Sequence, residues 1–178
     1  MFRTKLFISV FLAALSAHAA TLQQLSFDQM SRSATAIVRA HVVAVSATLS
    51  GTTIYTRYKL DVSETWKGSA PNEVDLPGGT LNGQTQSFPG VQDLRIGGEY
   101  VLFLWTSAST KLTHIIGLTQ GLMIVAGQPD GSVWASRRQS GELMLDAAGH
   151  RTPDQAVNMK VADMKARVVD ALNPGTSK

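Results

Sequence analysis

Residues 99–105 read EYVLFLW, and after Glu99 every position is apolar or aromatic. Side chains alternate across a sheet, so a strand with both alternating sets hydrophobic has no wet face. Such a strand must be central and covered from two sides, which demands further layers of structure around it. No cysteine is present to staple those layers. Burial has to hold the fold, and residues 20–178 suffice for a single domain with a core of ordinary size.

The first twenty residues, MFRTKLFISVFLAALSAHAA, set Arg3 and Lys5 before an apolar run from Leu6 to Leu15 and end in the small-residue exit Ala17-His18-Ala19. This is the pattern of a cleaved secretory signal over residues 1–19, and its run is too short to cross a hydrocarbon core of ~30 Å as a helix. The expectation is an exported protein, periplasmic or extracellular, without an integral membrane segment once the signal is removed. Of the 16 basic residues two lie in this leader, leaving 14 against 13 acidic ones and lowering the net charge from +3 to +1. A near-neutral surface without clustered Lys or Arg offers no footprint for nucleic acid. The pair Arg137-Arg138 reads as a solvated turn or strand end.

Ser26-Phe27-Asp28-Gln29 forms a capping box, with Leu25 and Met30 at staple positions, and predicts a short N-terminal helix from Phe27 to Ser33. A β-branched strand follows from Ala36 to Thr48, its apolar parity changing near His41, as two covered faces or a bulge would produce. Residues 53 to 66 alternate strictly, with Ile54, Tyr58, Leu60, Val62 and Trp66 on one face. That parity makes Trp66 a core anchor whose indole N–H needs a polar partner, and it leaves Lys67 to solvent. A short strand spans Glu73 to Leu76. Residues 77–98 hold six glycines and two prolines and read as a long loop or a broken hairpin.

Beyond the central strand, His114 to Val125 reads as a strand interrupted by bulges at Gly117 and Gly121, and short strands follow at Val133–Ala135 and Leu143–Leu145. Thr152-Pro153-Asp154-Gln155 supplies helix-start signals, and Val157, Val161, Met164, Val168 and Leu172 then mark one face of a C-terminal amphipathic helix over 153–172.

Candidate chemistry is sparse. There is no Gly-x-Ser-x-Gly elbow, and His41, His114 and His150 lack ligand spacing, so neither a catalytic set nor a metal site is expected. Glu73 and Asp75 share a strand face, an arrangement open to acid–base work but more usual as solubilising charges on an edge strand. Gly78-Gly79 and Gly97-Gly98 lack the lysine and following helix of a phosphate loop. No cofactor is implied.

The stretch from about Ser33 to Ser107 resembles the netrin-like modules that include the tissue inhibitors of metalloproteinases. The resemblance is carried by AIVRAHVVAV, SETWKG, NEVDLPGG and LRIGGEYVLFL. It implies a mainly β fold, an OB-like antiparallel Greek-key barrel, here with an added β-hairpin and the two helices. The zinc-chelating N-terminal cysteine of the metalloproteinase inhibitors has no counterpart in this cysteine-free chain, so the resemblance speaks for the barrel more than for inhibition. The leading expectation is an exported, non-catalytic binding module. Its partner would be an exported protein such as a secreted protease, contacted by the loop from Pro77 to Gly98 through Phe88, Gln92 and Arg95. The alternatives are an envelope carbohydrate- or lipid-binding protein using exposed tryptophans, and a hydrolase with a site assembled from scattered residues.

Overall fold

The computed structural model describes residues 21–175; the expected signal, residues 1–19, lies outside them. Thr21–Gln23 (β1) leads into helix α1, Phe27–Ser33, whose capping box is formed as the sequence predicts. Two 15-residue strands follow, Ala36–Ser50 (β2) and Thr53–Lys67 (β3), then Glu73–Pro77 (β4), Gly79–Leu81 (β5) and Gln84–Gln86 (β6). Next come Glu99–Thr106 (β7), Thr113–Ile115 (β8), Leu122–Gly127 (β9) and Val133–Arg137 (β10). Leu143–Leu145 (β11), Arg151–Thr152 (β12), Val157–Lys160 (β13) and helix α2, Val161–Leu172, complete the chain.

The fold is mainly β. Its principal sheet is antiparallel, in the order β13-β10-β9-β7-β2-β3-β4, with β8 also pairing β7. A small sheet adds the parallel pair β1–β11 and the antiparallel pair β11–β12. Backbone pairing does not close the main ladder among the described residues. Its curl nevertheless brings β4 beside β8, where His114 Nδ1 lies 2.9 Å from the carbonyl oxygen of Asp75.

β7 is the doubly covered strand that EYVLFLW requires. Tyr100, Leu102 and Leu104 join Val38, Ala40 and Leu60 in one core, while Val101 and Phe103 face a second core built with Met30 of α1 and Met164 and Val168 of α2. Phe103 is fully buried, its ring edge-on to Phe27 at 5.4 Å. Truncating such a side chain to alanine removes about 3–5 kcal/mol.

Three bulges in the β2–β3 pair decide which β3 residues reach each core. Val43, Ser63 and Trp66 have no opposite residue, because pairing steps from Val42↔Leu60 to Ala44↔Lys59, from Ala40↔Val62 to Arg39↔Glu64, and from Val38↔Thr65 to Ile37↔Lys67. Each extra residue flips the side chains beyond it. Trp66 therefore does not extend the Ile54–Leu60 face. It is half-buried against the helix-side core, its indole N–H donating to Glu64 Oε2 at 3.1 Å. Lys67 is not released to solvent either: Nζ donates to the carbonyls of Ser31 and Arg32, 2.9 and 2.7 Å away, neutralising the C-terminal end of α1.

Two further expectations are corrected. The 114–125 segment is two strands rather than one bulged strand, since the chain turns at Gly117 and Leu118, both with positive φ, and Gln120 is drawn inward to bond Leu25 N and Gln23 O. The C-terminal helix begins at Val161, not at residue 153. Asp154, inside the expected first turn, is instead gripped by Arg137, and Val157–Lys160 pairs with β10.

Gly68 closes β3 with φ +66°, and a Cβ there would lie 2.0 Å from the Thr35 carbonyl oxygen. Gly51 has nearly the same φ, +59°, with open space around it. Gly51→Ala should cost about 1 kcal/mol and Gly68→Ala more than about 2 kcal/mol in urea unfolding, because only the latter adds a backbone clash to the left-handed strain. Equal costs would show that the approach to Thr35 is relaxed.

Candidate functional site

The segment from Pro77 to Gly98 is a hairpin followed by an anchored coil. Asn82 and Gly83 both have positive φ, as a two-residue hairpin turn between β5 and β6 requires. Gln86 fastens this hairpin to the start of β3, accepting from Ile54 N at 2.7 Å and donating to Thr52 O at 2.9 Å.

The coil after it is held at four points. Leu94 is buried in the first core. Tyr58 donates its hydroxyl to Asp93 Oδ1 at 3.1 Å, and burial, reinforced by the Asp93 charge, pushes the phenol up to about 12. Arg95 N donates to the Tyr100 hydroxyl at 2.9 Å. Gly97 N and Gly98 O then pair with Val42, so the coil is sewn to β2 where its pairing with β7 ends.

This coil forms one wall of a cleft of about 630 Å³, and β9, β10 and residues 138–140 form the other. Gln92 and Arg95 stand on the first wall, Arg138 and Gln139 on the second, with Leu122 and Ile124 between them. Ile124 is 42% exposed. No hydrogen bond or ion pair engages the Arg95 or Arg138 guanidinium among the described residues, whereas Glu99 and Arg137 beside them are in ion pairs. Glu99 accepts from Arg39 Nε at 2.7 Å, and Arg137 grips Asp154 with two bonds of 2.6 and 3.0 Å. Burial opposes ionisation of Asp154, yet Arg137 and the Ser140 and Gln155 amides keep its carboxyl below the ordinary value.

Of the three residues expected to bind, the structure brings Gln92 and Arg95 together. Phe88, 39% exposed, lies apart on a shallow groove with Val45, Pro77 and Leu94. Arg138 was read from the sequence only as half of a solvated pair. The structure divides that pair: Arg137 is buried in a structural ion pair, and Arg138 remains exposed beside it.

The other candidates find structural duties. Asp75 is buried rather than solubilising, its carboxylate 2.7 Å from Arg57 Nε, with Glu73 3.3 Å from the same nitrogen. Trp134 donates its indole N–H to Ser132 Oγ at 2.9 Å, leaving Trp105, 46% exposed, as the outward-facing tryptophan. Among the described residues no group of three or more His, Asp or Glu stands close enough to hold a metal ion, and no helix is long and apolar enough to cross a membrane. No family model matches the chain, and no curated protein matches it.

Outside the cleft lining, Glu64 joins sheet to helix. It accepts from Lys165 Nζ of α2 at 2.7 Å, from Arg39 Nη1 at 3.0 Å and from Trp66, and the Lys165 bond is foremost in holding its carboxyl down at about 2. A depressed folded-state value means that this stability is complete above the unfolded value near 4.5 and is lost as pH falls toward 2. Glu64→Gln should lower stability at pH 7 and flatten the loss between about pH 4.5 and 2 in urea titrations at stepped pH. An unchanged acid limb would remove Glu64 from the account.

Proposed function

We propose that the chain is an exported, non-catalytic binding module, an OB-like barrel of the netrin-like kind, that docks an acidic segment of an exported protein in the cleft between residues 92–98 and β10. The observation that carries this reading is the pairing of two unengaged guanidiniums, Arg95 and Arg138, across a cleft with apolar side chains between them. Free cations beside exposed apolar surface suit a segment that alternates carboxylates with hydrophobic residues.

Preorganisation supports the same reading. A coil fastened by Tyr58, Tyr100 and Val42 has little conformational freedom left to lose when a partner arrives. A secreted protease is one partner of suitable compartment. The resemblance in SETWKG and LRIGGEY supports the barrel and leaves the partner to the cleft's own chemistry.

The test compares capture from the exported fraction by the native chain and by an Arg95→Ala/Arg138→Ala variant with an unchanged Tm. The native chain should retain a defined partner, and the variant should bind it about tenfold to a hundredfold more weakly, with the difference shrinking at high salt. Undiminished capture by the variant would move the interface elsewhere.

A further inference from the structure

At the seam where β4 and β8 lie side by side without backbone pairing, a cavity of about 160 Å³ is walled chiefly by Leu76, Val91, Ile115 and Leu122. Tyr55 and His114 also line it. These two belong to a row of rings: Tyr55 and His114 have centroids 5.7 Å apart, and Trp105 stacks on His114 at 6.4 Å with planes 23° apart. Leu118, on the same wall, has a φ of +58°, a strained value for a branched residue of the kind that collects at binding sites.

His114 has a defined polarity. Its Nδ1 lies 2.9 Å from the Asp75 carbonyl oxygen, which can only accept, so Nδ1 carries the hydrogen. In the neutral form of the ring this tautomer presents Nε2 as an acceptor, and no hydrogen bond engages that atom among the described residues.

We infer that the seam cavity binds a single six-membered aromatic ring bearing a hydroxyl, with the ring among the apolar walls and the hydroxyl donating to His114 Nε2. Size and polarity select this class. An apolar cavity of roughly 150 Å³ accepts a benzene ring, while drug-sized ligands need about 300 Å³ or more. A sugar would leave most of its hydroxyls unsatisfied against these walls.

The phenolic ring has two sources, a free small compound or a tyrosine side chain of a segment lying in the adjoining cleft, which shares Gln92, Thr119 and Leu122 with the cavity. The tyrosine source rests on the docking function proposed above; the cavity assignment does not.

The experiment is calorimetric titration of the purified chain with p-cresol and with toluene, which differ only in the hydroxyl. p-Cresol should bind about threefold to tenfold more tightly, with a change in Trp105 emission. His114→Asn keeps an N–H for the Asp75 carbonyl but has no counterpart of Nε2, and it should bind both compounds alike. Val91→Phe, which fills the cavity from its half-buried loop side, should bind neither and covers the case in which the His114 variant unfolds. Equal affinities in the native chain, no binding of either compound, or a hydroxyl preference that survives in His114→Asn would overturn the assignment. A Glu-Tyr-Glu peptide with blocked ends that binds more tightly than p-cresol, and loses that advantage in Arg138→Ala, assigns the ring to a partner's tyrosine. A peptide no tighter than p-cresol assigns it to a free compound and counts against the cleft reading alone.

Discussion

Everything in this molecule depends on β7 being buried on both faces. Leu102 and Leu104 require a core on one side and Val101 and Phe103 a core on the other, so the sheet must curl around the first set while two helices cover the second. β2 shares this condition through Ile37 and Val38, both fully buried. Its long partner β3 cannot, because its sequence alternates. The bulges opposite Ala40 and Val38 resolve the conflict by turning the end of β3 toward the helices.

That turn gives Glu64, Lys67 and Gly68 of SETWKG mechanical tasks. Glu64 collects Arg39, Trp66 and Lys165, Lys67 neutralises the end of α1, and Gly68 allows the chain to pass close to Thr35. The segment is thus a clamp between sheet and helices. Single exposed pairs of this kind contribute little, but a carboxylate shared by three donors, two of them charged, is a network, and its members are not additive. The guanidiniums of Arg95 and Arg138, by contrast, carry no such structural duty among the described residues.

Much of the fold is legible in the sequence wherever local signals and tertiary demand agree. The Ser26 capping box, the two long strands and the apolar run of β7 all form where pattern and propensity place them. The failures arise where a distant residue intervenes. Parity sends Trp66 into the first core because a bulge leaves no mark in a strictly alternating strand. The Thr152–Gln155 helix signal fails because Arg137, seventeen residues earlier than Asp154, grips the Asp154 carboxylate, and the residues that follow pair with β10 as a strand. Within the candidate site, Gln92 and Arg95 were legible as polar residues on a long loop. Asn82-Gly83 carries the hairpin turn that residues 77–98 allow, whereas nothing local distinguishes Arg138 from Arg137. Only the ladder that joins β9 to β10 sets Arg138 across from Arg95.

The central claim is that the doubly covered β2–β7 pair holds the coil of residues 92–98 in one conformation. Amide hydrogen exchange in the free chain tests it most directly, through Gly97, whose N–H bonds the Val42 carbonyl at 2.7 Å, and Val42 itself, bonded to Gly98 O at 3.0 Å. The account predicts that these two amides exchange together and slowly, opening only with the β2–β7 pair, while the exposed neighbour Ile96 exchanges quickly. Fast exchange at Gly97 beside a protected Val101 would contradict it, because the coil would then move independently of the strands said to hold it.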